Sequence, residues 1–385
     1  MMSILVFAAA CVAQHQTVRV STTEALQLAI RKAEPGTTIL IEPGEYRGGI
    51  SVSNLHGTKD RPIVLAGASP RNPPKFIGGT SGMQLSSVEF LQLQDITFVK
   101  AEANGLNIDD GGTIDRPSHH IKLSRIKVAE LPKGNHDGIK LSGVDEFEVT
   151  NCSLANWGGS GIDMVGCHRG VIRACEFRNG GDNGVQAKGG SSEIVIRKCQ
   201  FINAGPRGVN LGGSTGSAFF RPSLEKMGKD RYEAKGLVVE GCTFTGSDAA
   251  VAFVGVDGAV VRFNTIHNPG RWAMRILQET REAGFVPSRH GSFTDNLIVF
   301  KSTNWSAGGV NIGSDTDASS FRFARNFWFC SDAPAQSKPT LPTPEERGTY
   351  GVDPLLTVGL DGIVRIGFGS PAANIGAEGF RDASR

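Results

Sequence analysis

Three long cationic side chains in this sequence stand where they could act on an anion. Lys188 closes the hexapeptide NGVQAK and is followed by Gly189 and Gly190, which leave open floor around its amine. Arg207 begins the similar hexapeptide RGVNLG, and Arg275 lies inside WAMRIL. A lysine beside a second cation is driven toward its neutral form and can then remove a proton. An arginine fork holds a carboxylate or a sulfate by two parallel hydrogen bonds. Together they suit chemistry next to an acid group. The arginines neutralise the acid, the neighbouring C–H becomes more acidic, and Lys188, one coil from Arg207 at an expected similar height, removes the proton.

Other polar residues recur in phase with these. Lys140, Asp163, Gln186 and Asn210 hold one position in successive hexapeptides and are candidate substrate-binding groups, with Gln186 and Asn210 placed to stabilise a developing enolate. Lys140 and Asp163 have a plainer reading as a cross-strand ion pair worth about 0.2 to 1 kcal/mol. Arg275 could likewise be a salt bridge to Glu279 or Asp248, or lean over Ala252 toward Asn210. Asp137, Asp163 and Asp182 could supply the two carboxyl groups of a glycoside hydrolase, which stand about 5 to 5.5 Å or about 6.5 to 9.5 Å apart. His136, in GNHDG, and the pair His119 and His120 are expected in turns at the rim of the same face, either solvated or contributing a base or subsite. The insertion from Ser214 to Lys235 combines Phe219, Phe220 and Tyr232 with Arg221, Lys226, Lys229 and Arg231. Aromatic and basic side chains on a loop suit a sugar ring carrying an anion, and Arg221 and Tyr232 are its candidate contacts.

These residues share a face only if a repeat places them there. NGLNID at 104, DGIKLS at 137, SGIDMV at 160, NGVQAK at 183 and RGVNLG at 207 are variants of one phrase, the last three steps being 23, 23 and 24 residues. It continues as AAVAFV, WAMRIL and GGVNIG, while a second phrase runs in step through VTNCSL, IRACEF, IRKCQF, VEGCTF, VRFNTI, FTDNLI and FARNFW. A period in the low twenties, with short β-type runs between Gly, Asn and Asp, marks a solenoid. The leucine-asparagine consensus of leucine-rich repeats is missing. The pattern predicts an all-β, single-stranded right-handed parallel β-helix, with Ile139, Leu141, Ile162, Met164, Val185, Ala187, Val209 and Leu211 inward and Lys140, Asp163, Gln186 and Asn210 outward. Cys152, Cys175, Cys199 and Cys242 fall at one position in successive coils, predicting a buried column of thiols; stacked strand positions rarely offer disulfide geometry. Residues 20–34 carry helical periodicity behind a Ser/Thr cap signal and are expected to plug the open end.

Composition sets the remaining bounds. Forty Lys and Arg against 38 Asp and Glu give a net charge of +2, so bulk electrostatics point to no nucleic-acid partner and anion binding must be local. Fifty glycines suit a fold with many turns. Residues 1–13 are small and apolar and read as a signal peptide despite lacking a basic start, which predicts a secreted or periplasmic protein. No later segment reaches the roughly 20 apolar residues of a membrane span. The expected division is 1–13 signal, 14–330 β-helix with its cap, and 331–385 an irregular extension packed on the helix, the whole a monomer.

The opening EALQLAIRKAEPGTTILIEPGEYRG, then KDRPIVLAGASP and FLQLQDITF, resembles the start of the chondroitinase B and alginate lyase family of polysaccharide lyases. The likeness is clearest over residues 20–100. It implies a β-helix that cleaves an acidic, uronate-containing polysaccharide by β-elimination, with a lysine base and an arginine one coil later that neutralises the uronate carboxylate. NGVQAKGGSSEIVI is similar to the family's lysine-bearing coil, which places that role on Lys188. The family's arginine falls at or beside Asn210, so the chain departs there and Arg207 is the nearest substitute. The family's calcium ligands precede the lysine; here GDNG offers Asp182 and Asn183, a sparse set for a cation that wants several oxygens including paired carboxylates. NHDGI is similar to the NTDGI motif of polygalacturonase-like hydrolases, whose paired aspartates are missing. An elimination, a hydrolysis, an epimerisation and carbohydrate binding without turnover all remain open on this face.

Overall fold

The structure is a computed structural model and describes residues 16–382, so the signal peptide expected over residues 1–13 lies outside the described residues. The chain winds as a right-handed parallel β-helix with three long sheets of 14, 10 and 12 strands. Each full coil adds one strand to each sheet. In the best-formed region the 10-stranded sheet, which carries the candidate site, receives Ile139–Ser142, Ser160–Val165, Asn183–Lys188, Arg207–Gly212, Ala249–Val254 and Trp272–Leu277 in succession. The register is the one the repeat implies: Ile139 pairs with Ile162, Ile162 with Val185, and Val185 with Val209.

Alternation does the sorting. All eight inward residues named above are buried, and Lys140, Asp163, Gln186, Asn210, Ala252, Arg275 and Asn311 form one outward column. Like residues stack inside. Phe177, Phe201 and Phe244 lie face to face with centroids 4.8 and 4.6 Å apart. The thiol column is present too, with Cys152, Cys175, Cys199 and Cys242 buried and unpaired. It passes into an asparagine ladder: Asn264 Oδ1 accepts from the Cys242 amide at 2.9 Å, and Asn264 Nδ2 donates to Asn296 Oδ1 at 3.0 Å. The residue before this column is left-handed in coil after coil, including the non-glycines Asn151, Ala174 and Lys198. Such a conformation costs about 1 to 2 kcal/mol per residue. The recurrence shows that stacking of the corner outweighs it.

The cap is shorter than expected. Thr17–Val20 is a strand paired with Thr38–Ile41, and the helix spans Thr23–Arg31 with Thr22 Oγ1 accepting from the Ala25 amide at 3.1 Å. Leu26 and Ile30 plug the first coil. At the other end the coils outlast residue 330: Thr349–Tyr350 still pairs with the strand Phe327–Cys330. Beyond it, a hairpin of Leu356–Val358 and Val364–Ile366 brings Leu356 and Ile366 against Leu297, Val299, Phe327 and Phe329. No helix of the described residues is long and apolar enough to cross a membrane. Alkylation of the denatured, unreduced protein followed by mass spectrometry is expected to label Cys152, Cys175, Cys199 and Cys242 as thiols. A disulfide between any two would contradict the stacked register.

Candidate active site

The outward face of the 10-stranded sheet has two ends, because each strand presents several outward positions in turn. At the C-terminal end of the strands Asp109, Ser142, Val165 and Lys188 share a column. Here a cavity of about 560 Å³ opens, lined by Lys140, Ser142, Lys188, Thr215, Phe219 and Arg221 among others. Among the described residues the Lys188 amine has no hydrogen-bond or ion-pair partner, while its backbone carbonyl accepts from Ser191 Oγ at 2.7 Å. Gly213 leaves the space over this point, since a Cβ there would stand 2.7 Å from Gln186 Nε2 and 3.3 Å from Lys188 Cδ.

Lys140 is held quite differently. Its amine donates to Asp137 Oδ2 at 3.2 Å and to Asp163 Oδ2, two carboxylates that are each only 2% exposed. Burial pushes the Asp137 carboxyl above its usual range, with the Asp163 charge adding to the effect and Lys140 opposing it. Burial works against the Lys140 ammonium, but Asp163 and Asp137 together outweigh it and raise its pKa. Asp137 Oδ1 accepts from the Ser160 amide at 2.7 Å, whereas Asp163 Oδ1 is buried without a partner. The exposed ion pair anticipated for Lys140 and Asp163 is therefore a buried cluster of three charges.

The arginines are elsewhere. Arg207 pairs with Asn183, the first residue of the strand that Lys188 ends, so five residues or roughly 16 Å separate them along the strand. The expectation that Arg207 sits at the height of Lys188 is thus corrected: hexapeptide copies share a coil, but first and last positions lie at opposite edges of the sheet. Arg207 instead contacts Glu279 at 2.8 Å and Asn210 Oδ1 at 3.1 Å. Arg275 does not lean toward Asn210 or pair with Glu279. Its Nε donates to Asn311 Oδ1 at 2.9 Å, away from the crowded Arg207 side. Gln186 and Asn210 are buried and both point at the Gly212 carbonyl, 3.4 Å from each amide nitrogen. His136 stands with Asp137 at the edge opposite Lys188, half-buried with Nδ1 unpartnered.

Several expectations for the loops are overturned. Arg221 lines the cavity but is committed to a buried, bidentate pair with Asp110 at 2.5 and 2.9 Å. The left-handed glycines Gly166 and Gly190 make room for its loop, each having a Cβ position only 2.5 Å from Arg221 atoms. Tyr232 turns away from the cavity, half-buried beside Lys235, and its hydroxyl pKa is raised by burial and then by Asp257 and Glu193. Phe220 is core, packed on Phe285, and Phe219 alone of the aromatics reaches the cavity. His119 and His120 belong to the strand Ser118–Ser124 of another sheet, with His120 stacked on Phe90 and 2.6 Å from Glu146. For calcium the donor set does not fit. Asp182 is exposed with its Oδ2 accepting from Asn183 Nδ2 at 3.0 Å, and among the described residues no cluster of three acidic, His or Cys side chains is arranged for a metal.

Glu233, fully buried at the end of the insertion, accepts from the Gly189 and Thr215 amides, both at 3.0 Å, and from the Thr215 and Thr280 hydroxyls at 2.7 and 2.5 Å. It fastens the turn after Lys188 to two loops. Nothing periodic marks it in the sequence.

Residues 76–229 and 114–266 match the family model described as right handed beta helix region. No curated protein matches the chain. Among solved structures, an alginate lyase from Paenibacillus sp. str. FPU-7 aligns with TM-score 0.54 at 16% identity, over 87% of this chain and 98% of that one. A rhamnogalacturonan lyase aligns at 0.55 and 14% identity, over 81% and 87% of the two chains. A GH136 lacto-N-biosidase from Eubacterium ramulus aligns at 0.51 and 13%, over 88% and 67%. At such identities the likeness establishes the fold. The chain is a right-handed parallel β-helix similar in architecture to polysaccharide lyases and to a glycoside hydrolase.

Two outcomes follow from the buried charges. Arg221→Ala leaves Asp110 buried and unpaired, so it is expected to lower unfolding stability by about 3 to 5 kcal/mol in denaturant titration, with Asp110→Asn in the same chain recovering part of the loss. The Asp137 carboxyl binds its proton more tightly folded than unfolded. Stability should therefore fall as pH rises from the usual aspartate value, about 4, through the raised one, and Asp137→Asn should remove that slope in a pH series of unfolding curves.

Proposed function

We propose that this protein cleaves an acidic, uronate-containing polysaccharide by β-elimination at the cavity shared by Lys188 and Lys140. The observation that carries the reading is the contrast between the two amines. Lys140 is kept as an ammonium by two buried carboxylates and retains one N–H to hold the substrate carboxylate. Lys188 has no partner carboxylate and stands beside open glycine backbone, as a base must. Proton removal from C5 by Lys188 leaves its electron pair to form the C4–C5 double bond. The C4–O bond then breaks, and the departing oxygen takes a proton from water reaching the open cavity. Pre-placed charge beside the developing enolate is the electrostatic contribution such sites depend on. Export from the cytoplasm fits an apolar leader and a polymeric substrate.

Hydrolysis is the second reading, favoured by one observation: Asp137 and Asp163 both reach the same ammonium, and burial pushes the Asp137 carboxyl up, as a general acid requires. Incubation with a panel of uronate polymers separates the two. Elimination gives an unsaturated product followed by its ultraviolet absorbance, and Lys188→Ala should abolish that product while leaving the fold and polymer binding nearly intact. A product without a double bond, lost in Asp137→Asn or Asp163→Asn but kept in Lys188→Ala, would overturn the proposal in favour of hydrolysis.

A further inference from the structure

The other edge of the same face carries more positive charge than it neutralises. In register, Arg207 stands beside Ala249 and Ala249 beside Trp272, while Asn210 stands beside Ala252 and Ala252 beside Arg275. The middle coil places only the covered methyl groups of Ala249 and Ala252 between them, with Asp248 preceding Ala249. The flanking strands stand two strand spacings apart, roughly 10 Å. Arg207 and Asn210 lie on one side of the alanines, Trp272 and Arg275 on the other. The guanidinium carbons of Arg271 and Arg275 lie 4.3 and 4.7 Å from the Trp272 ring, which is itself 8% exposed and has its Nε1 buried without a partner.

Three guanidinium groups meet here. Among the described residues Glu279 alone forms an ion pair with them, and that pair, on Arg207, is partly open to solvent. The charge of Asp248 also favours the Arg275 guanidinium. Arg275 uses only Nε, on Asn311, so both terminal nitrogens remain to donate. Burial and then the charge of Arg207 hold the Arg275 guanidinium below its usual pKa. An arginine does not give up its proton at working pH, so repulsion between these groups persists until an anion arrives.

We infer that Arg207, Arg271 and Arg275 form a second anion station, which takes the carboxylate of a uronate residue several units away from the one at Lys188. This rests on the acidic-polymer reading but not on the chemistry assigned to Lys188. The strand bearing Arg275 is three places beyond the strand bearing Lys188, roughly 14 Å along the axis. A monosaccharide cannot reach both, so the protein holds its polymer by two carboxylates at once, and only a longer oligomer spans the two stations.

The test is calorimetric binding of a uronate disaccharide and of a longer oligouronate to the Lys188→Ala protein, with and without Arg271→Gln and Arg275→Gln, and with Arg275→Lys to retain charge without the fork. Unchanged thermal midpoints establish that each variant is folded. Affinity for the longer oligomer should fall about tenfold or more for each lost arginine, since each bidentate pair is a strong charge-assisted contact. The disaccharide should bind the parent and the variants alike. Equal affinity of the longer oligomer for parent and double variant would overturn the inference. So would an equal loss for the disaccharide, or failure of any oligouronate to bind. Should the parent sequence with Lys188 make no unsaturated product while arginine-dependent binding holds, elimination fails and the second station stands.

Discussion

Successive coils of this solenoid are hydrogen-bonded in parallel register, so a residue's place in one turn determines what lies beside it in the next, about 4.8 Å away. Everything else depends on that constraint. A slip of one residue would carry Ile162 and Met164 to the outside and Asp163 to the core, which makes the register strongly specified. Inside, the constraint rewards identical neighbours, as in the stacked rings of Phe177, Phe201 and Phe244. Outside, it forces charges into columns where they must find partners or repel. Lys140 and Asp163 show the first outcome, while Arg275, which has no carboxylate partner and feels the charge of Arg207 from a neighbouring column, shows the second.

The fold was legible in the sequence because it is periodic. The hexapeptides located the strands, their direction and the outward column from Asn107 to Asn311, since each copy reported the same phase independently. What the repeat could not give was position across the sheet. Lys188 and Arg207 sit at the two ends of similar phrases, and treating neighbouring coils as neighbouring atoms hid the roughly 16 Å between them. Contacts made outside the repeat were equally hidden. Asp110 and Arg221 lie 111 residues apart in the chain and belong to segments that occur once, so no second copy could betray their meeting. The sequence expectation of a turn at His119 and His120 fails because the alternation through Ile121 and Leu123 continues a strand.

The non-repeating segments turn a uniform face into a shaped one. A bare β-helix face is flat, and charged side chains on a flat wet sheet interact weakly. Here the insertion is fastened across the strand ends by the Asp110–Arg221 pair, and Glu233 fastens the turn after Lys188 to Thr215 and Thr280. Burying such groups is unfavourable unless every donor and acceptor is matched, and the four hydrogen bonds to Glu233 meet that condition. Their effect is to wall in the cavity where the two lysines stand, lowering the local dielectric and strengthening the charges inside it.

A division of labour along the face follows from the same geometry. The end lined by the insertion holds a lysine amine without a partner, in a cavity that water still reaches. At the opposite edge Arg207, Arg271 and Arg275 gather with Glu279 as their one ion-paired carboxylate among the described residues, and unmatched positive charge is what a second anion contact requires. Rigid parallel stacking holds the two at a constant separation with no hinge between them. A flexible chain bound at both stations is therefore straightened across the coils, and the entropy lost in ordering the sugar residues between them is offset by the second anion contact rather than by the cavity.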